Sequence, residues 1–305
     1  MPIFPTKKTV IIIAGPTAVG KTAAAIELAK HFKTEIISAD SRQCYKELNI
    51  GVARPSINEL KEVPHHFIAT HSIYDEITAA GFEQYALQKA NELFLLHDVV
   101  VMVGGTGLYI KAFCEGLDMI PEVPEEIREN IINQYKEEGI EWLQQQLKIN
   151  DPEFFNQGEM KNPQRMMRAL EVKQATGKSI IQFQQGKKTR RDFNSVKIGL
   201  QLPKEELYAR INDRTEKMIE EGLVEEVKGL LSAKHLNALQ TVGYKEIFDY
   251  LNNNISLSKA IELIKQHTRQ YAKRQITWFK KDKEINWLDQ SNINNLFSVA
   301  TELMH

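Results

Sequence analysis

Between a β-branched run, Thr9-Val-Ile-Ile-Ile-Ala14, and an alanine-rich stretch from Lys21 to His31 lies Gly15-Pro-Thr-Ala-Val-Gly-Lys-Thr22. This octapeptide fits G-x-x-x-x-G-K-[ST], a loop whose backbone N–H groups curl around an anion. Lys21 adds a point charge, the following helix adds its positive end, and the Thr22 hydroxyl can hold Mg²⁺. Such a loop works only where a buried strand delivers the chain to a helix N-terminus, so the motif commits the chain to an α/β fold.

The first ~115 residues repeat that alternation of strand and helix, as βαβ units do. Glu35–Ala39 reads as a second strand ending at Asp40, Ala80–His97 as a helix, and Asp98–Val103 as a third strand ending in Gly104-Gly105. The strands are apolar on both faces, which predicts helices on both sides of a parallel sheet. Past Gly116 no strand is legible until Val196–Leu202; helices are expected over Glu125–Glu138, Ile140–Leu147 and Pro163–Thr176, then a loop over Gln182–Arg191. Helices resume at Pro203 and continue to about Lys283, with Ile285–Leu288 as a last short strand. The expected architecture is a P-loop NTPase-like parallel sheet core, residues 1–117 and 196–305, with an all-helical insertion domain at 118–195.

At 305 residues, 42% apolar and 26% charged, the chain can bury a large core and has no disordered or collagen-like bias. Its two cysteines, Cys44 and Cys114, form no disulfide framework and read as plain buried thiols, which predicts a cytoplasmic protein. No apolar run approaches the ~20 residues of a membrane span. The prolines of the opening MPIFPTKKTV argue against an export signal. A near-neutral net charge of −1 conceals segregation. Counting along the sequence, residues 115–159 carry 12 acids and 3 bases, 161–191 carry 9 bases and 1 acid, and 259–283 carry 8 bases and 2 acids. The two basic stretches read either as solvated helix faces or as polyanion-binding surfaces.

A phosphate loop alone does not specify the reaction. The acid at a strand end here is Asp40, which suits a base in a small-molecule kinase, or in an enzyme that joins a nucleophile to a diphosphate-bearing substrate. Asp40 also reads as a simple turn cap, Thr17 as turn geometry, and Arg214 as a solvated helix arginine.

Several further segments, in order, carry a resemblance. After the phosphate loop come Ser38-Ala-Asp-Ser-Arg-Gln43 with Tyr45, Ile50-Gly-Val-Ala-Arg-Pro55, Pro64-His-His66 and Val103-Gly-Gly-Thr-Gly-Leu-Tyr109. Asn162-Pro-Gln-Arg165 with Arg168-Ala-Leu-Glu171, Val242-Gly-Tyr244 and Lys273-Arg-Gln-Ile-Thr-Trp278 follow. Together they resemble the bacterial tRNA dimethylallyltransferases over nearly the whole chain; Val52, where the family usually has Thr, is a local departure. The resemblance implies transfer of a dimethylallyl group from dimethylallyl diphosphate to the exocyclic amine of the adenine 3′ of the tRNA anticodon. Pyrophosphate is released with Mg²⁺ assistance.

By the same resemblance, Asp40 acts on the amine and Gly15, Pro16, Thr17, Ala18, Val19, Gly20, Lys21 and Thr22 bind the diphosphate. Arg214 adds a cation there, Thr17 stands between donor and acceptor, and Thr22 is the Mg²⁺ residue. Asp40, Ser41, Arg42, Gln43 and Thr106 match contacts to the extracted nucleotide or its neighbours. Arg128, Gln164, Arg165, Met166, Met167 and Arg168 match tRNA contacts on the insertion, and Thr241, Gly243, Tyr244 and Lys245 match a further turn near the RNA. Tyr244 reads equally as a base-stacking ring and as a core tyrosine. The expected partners are the anticodon stem-loop and dimethylallyl diphosphate, with no membrane, and the chain is expected to be a monomer. His65, His66 and His71 lack zinc-site spacing, and Trp278, Phe279 and Trp287 read as core. The rival readings are a phosphate-loop kinase, an adenylate isopentenyltransferase and a non-catalytic RNA-binding protein.

Overall fold

The computed structural model describes residues 7–304. Pro2 and Pro5, on which the argument against an export signal rests, lie outside the described residues. The described residues form two compact units, one of residues 7–114 with 190–304 and the other of Glu115–Thr189.

The first unit is built on a six-stranded parallel sheet: β1 (Thr9–Ala14), β2 (Ile36–Ser38), β3 (His65–His66), β4 (Val99–Gly104), β5 (Asn194–Gln201) and β6 (Ile285–Asp289), in the order β3-β2-β4-β1-β5-β6. Alternation along β1 divides the core. Val10, Ile12 and Ala14 join Ile37, Val100 and Met102 on one face, under the helices Ala79–Phe94, Gly107–Glu115 and Tyr244–Leu251. Ile11 and Ile13 join Ile36, Val101, Ile198 and Leu200 on the other, under Lys21–Phe32, Lys204–Glu220 and Leu296–Leu303. Both faces are dry because neighbouring side chains on a strand point in opposite directions. β3 is a departure from the expected strands: two half-buried histidines held by pairing Ile36 with His65 and Ile37 with His66. His66 Nε2 lies 2.6 Å from Glu35 Oε2, and His65 Nδ1 lies 2.8 Å from the Val63 carbonyl.

The second unit is helical: Glu125–Asn150, Pro152–Gln157, Pro163–Thr176 and Ile180–Phe183 pack around Leu143, Leu147, Met166 and Leu170. Gly139, at φ 79°, breaks the helical backbone between the two expected segments of the first helix. The expected loop beginning at Gln182 instead starts as the last turn of Ile180–Phe183, capped by Ser179. The unit's boundaries, 115 and 189, differ from the 118–195 expected, and Asn194 and Ser195 belong to β5.

Two core expectations change. Trp278 is 37% exposed, its indole packed over Gly107, whereas Phe279 is buried and Trp287, partly buried, packs against the core. Cys44 is fully buried, whereas Cys114 is half-buried. Among the described residues, no helix is long and apolar enough to cross a membrane.

Candidate active site

The C-terminal ends of β1, β2 and β4 are neighbours in the sheet, so the loops that follow them meet at one edge, where open α/β sheets bind ligands. The phosphate loop leaves β1 with Gly15 at φ 144°, where a Cβ would come within 2.6 Å of the Leu200 carbonyl of β5, and reaches the helix Lys21–Phe32 through Gly20 at φ 95°. At the end of β4, a Cβ on Gly104 would lie 2.2 Å from the Ala39 carbonyl; glycine lets the β2 and β4 loops close on each other.

Asp40 sits just beyond β2, half-buried, and its Oδ1 accepts hydrogen bonds from the Arg42 and Gln43 amides at 2.9 and 3.2 Å. The turn cap read from the sequence is therefore present, and Asp40 also lines the cavities described below. Thr106 Oγ1 accepts from the Ser41 amide at 3.0 Å, joining the β2 and β4 loops. Lys21 Nζ donates to the Pro16 carbonyl at 2.7 Å, and Arg214, on the helix Lys204–Glu220, donates from Nη2 to Thr17 Oγ1 at 2.7 Å. Arg214 is thus brought into the phosphate loop across 197 residues of sequence.

These charges influence one another. Burial pushes the Lys21 ammonium down to about 8, with Arg214 adding to the fall and Asp40 opposing it. Burial likewise lowers Arg214, again opposed by Asp40. Two cations crowded together with one carboxylate form a net-positive pocket suited to a polyanion.

Two cavities open here. One, about 330 Å³, is lined by Thr17, Lys21, Thr22, Ser38 and Arg214 among others. The other, about 520 Å³, is lined by Ser41, Arg42, Thr241, Lys245, Tyr271 and Arg274 among others. Thr17, Asp40 and Arg214 line both. The Thr22 hydroxyl and the Asp40 carboxylate are hard oxygen donors in the first cavity, which fits Mg²⁺. Among the described residues no cluster of three His, Cys, Asp or Glu side chains could hold a metal alone, so a cation here needs ligand oxygens as well.

Not every expected contact is placed for RNA. Tyr244 is wholly buried, its hydroxyl donating to Glu226 Oε1 at 2.6 Å and its ring packed on Gly51, so it takes the core reading. Met166 and Met167 are core residues of the helical unit. Arg42 donates from Nη1 to the Asn237 and Ala238 carbonyls at 3.0 and 3.2 Å, and Gln43 Nε2 to those of Val52 and Ala53 at 3.2 and 2.8 Å, so both brace loops while lining a cavity, Gln43 the first and Arg42 the second. In the helical unit, Arg128, Gln164 and Arg168 line a separate cavity of about 310 Å³, and Arg165 is exposed. Arg168 is also paired with the buried Glu171 at 3.2 Å.

Sequence reasoning missed the contribution of the helix Leu257–Phe279. Tyr271 and Arg274 line the second cavity, with the Arg274 guanidinium 5.8 Å from the Tyr271 ring centroid. The signal was present as a basic run, but nothing local tied it to Asp40. Glu226 was missed as well: besides Tyr244 it accepts from the amides of Asn49, Ile50 and Gly51, holding the loop that forms part of both cavity walls.

Comparison with known proteins adds an independent line. The family model described as IPP transferase matches residues 43–282. The tRNA dimethylallyltransferase of Christiangramia forsetii is 50% identical, covering 94% of this chain and 95% of the relative. The tRNA dimethylallyltransferase 1 of Bacteroides thetaiotaomicron is 47% identical, covering 92% and 91%. Among solved structures, the full-length tRNA isopentenylpyrophosphate transferase of Bacillus halodurans superposes with a TM-score of 0.73 at 33% identity, covering 98% of this chain and 97% of that one. A eukaryotic dimethylallyltransferase acting on tRNA gives 0.77 at 26% identity, covering 97% and 77%.

Proposed function

The chain belongs to the IPP transferase family and is a prenyltransferase, and from that premise we propose that its own residues carry out the transfer as follows. Dimethylallyl diphosphate occupies the cavity under the phosphate loop, and the adenine 3′ of the anticodon, drawn out of its loop, enters the cavity lined by Tyr271 and Arg274. The observation that carries this reading is the shared wall: Thr17, Asp40 and Arg214, with Val52 and Ala53, line both cavities, so donor and acceptor meet at a wall whose polar side chains are those three.

The new bond forms between the adenine exocyclic nitrogen and C1 of the dimethylallyl group, as the bond from C1 to the diphosphate oxygen breaks. An aromatic amine is a weak nucleophile. Asp40 helps by accepting a proton from it; Oδ1 serves the turn, so Oδ2 is the atom we assign to the amine. The departing pyrophosphate gathers negative charge, which Lys21, Arg214 and the loop amides stabilise where it develops. Thr17, held by Arg214, stands at the bridging oxygen. Mg²⁺, held through Thr22 and diphosphate oxygens, would supply further charge neutralisation. The helical unit offers Arg165, Arg128 and Gln164 to the anticodon stem-loop, and Thr241, Gly243 and Lys245 form a turn beside the acceptor cavity.

The test is acceptor choice. Supplied with labelled dimethylallyl diphosphate and a mixture of unmodified tRNA and free adenylate, the protein should label only tRNA, at the adenine next to the anticodon. Label on adenylate, or phosphoryl transfer from ATP to a small hydroxyl acceptor, would replace this reading with one of its rivals.

A further inference from the structure

The helix Leu257–Phe279 places one buried amide between the phosphate loop and the end of β4. Gln275 is 6% exposed; its Oε1 accepts from the Thr17 amide at 2.8 Å and its Nε2 donates to the Gly105 carbonyl at 2.9 Å. Both ends are matched to their partners, so a flipped amide would set donor against donor and acceptor against acceptor. Gly105 makes room for this: a Cβ there would come within 2.3 Å of Nε2. The N–H that Gln275 accepts belongs to the Pro16–Thr17 peptide, one residue ahead of Ala18, whose φ of 65° is an unfavourable conformation that needs its surroundings to hold it. Thr17 in turn takes its hydroxyl bond from Arg214.

We propose that Gln275 is a positioning residue for the transfer: it fixes the Thr17 peptide so that the Thr17 hydroxyl and Arg214 stay together at the bridging oxygen of the diphosphate. The inference rests on the placement of donor and acceptor given above. Its physical content is a division of labour within the loop. The Thr17 amide is spent on Gln275 and does not bind phosphate; the anion is left to the later amides and Lys21. The same helix carries Tyr271 one turn earlier, with Arg274 beside it, so the element that lines the acceptor cavity also sets the donor loop.

A double-mutant cycle tests this, since residues acting through one another lose additivity. Gln275→Met keeps the volume and removes both hydrogen bonds; it should slow single-turnover transfer roughly 10- to 100-fold, as misplacement of a reacting group does, with tRNA affinity unchanged within about twofold. In a Thr17→Ala background, itself slow, the same substitution should add less than about threefold. Multiplicative losses would overturn the proposal while leaving the site intact. A wild-type rate for Thr17→Ala alone would overturn the placement of donor and acceptor, and the proposal with it.

Gln275→Glu provides a second readout that does not depend on the Met variant folding. Its carboxylate repels the Gly105 carbonyl, but once protonated it regains the donor and acceptor of the amide. The rate of Gln275→Glu relative to wild type at the same pH should therefore climb toward 1 as pH falls. A ratio flat in pH would refute the positioning role.

Discussion

Asp40 is where stability and chemistry can be separated most cleanly. Asp40→Asn keeps Oδ1 as acceptor for the Arg42 and Gln43 amides and so preserves the turn, while removing the charge that takes the proton. Asp40→Ala removes both functions and leaves two N–H groups without that partner. A buried unsatisfied group costs about 1–3 kcal/mol, and less in a half-buried turn such as this one. The expected pattern is a loss of roughly 10² to 10⁴ in single-turnover rate for both variants, the usual worth of a placed acid or base, with a fall in thermal midpoint only for alanine. A second consequence follows from the neighbours. Asp40 opposes the lowering of Lys21, which stands at about 8. Without the carboxylate, Lys21 loses its proton at lower pH, so pyrophosphate binding to Asp40→Asn should begin to weaken at a lower pH than in wild type. Rapid-quench kinetics at saturating donor and tRNA, with calorimetric pyrophosphate titrations across pH 7 to 9.5, would measure both. Asn and Ala variants equally destabilised and equally slow would show that Asp40 serves the turn alone. An Asn variant within about tenfold of wild type would remove it from the proton transfer.

Arg214→Ala should weaken pyrophosphate inhibition by roughly 10- to 100-fold, the range of a lost charge-assisted hydrogen bond, while leaving tRNA affinity unchanged; inhibition constants from steady-state kinetics decide it. Wild-type affinity for pyrophosphate should fall as pH rises through about 8, because Lys21 is depressed and loses its charge there. Pyrophosphate itself gains charge over that range, which acts the other way, so Lys21→Arg, charged throughout, should reverse the slope. Arg165→Ala should lower the log–log salt dependence of tRNA binding by ~0.7 to 0.9, one released counterion. Arg165 is the cleaner probe because Arg168→Ala would strand the buried Glu171. Gly104→Ala should lower the thermal midpoint and activity together, because its Cβ would meet the Ala39 carbonyl; a wild-type melt would refute the close approach.

The parts of this molecule legible in its sequence share a property: their cause is local. The strand Thr9–Ala14, the loop after it and the helix from Lys21 announce themselves by side-chain period and by a motif whose residues touch each other. Asp40 is legible for the same reason, since it lies two residues beyond a buried strand's end, whereas Thr106 is reached only through the resemblance. β3 was not legible, because two histidines make no pattern and are strand only through pairing with Ile36 and Ile37. Met166 and Met167 fell within a motif matched to RNA contacts, yet the helix turns them into the core of its own unit while its neighbour Arg165 faces out.

The site's remaining members show why motif membership and role come apart. Gln275 lies in the segment Lys273–Trp278, but its partners are 258 and 170 residues away, so no local rule assigns it. Its immediate neighbour Arg274 faces the acceptor cavity instead, and Trp278, one turn on, covers Gly107. Three residues within a stretch of five thus meet three different surroundings. What distinguishes them is the surface each meets, which the basic run leaves ambiguous until Gly105 and Gly107, just past β4, supply something to pack against. Gly105 accepts the Gln275 amide and Gly107 accepts the Trp278 indole, and together they fix the phase of the helix. The chemistry attributed to the phosphate loop therefore depends on a helix packed against the next loop of the sheet, and substitutions at Gly105 should damage transfer as surely as those at Lys21.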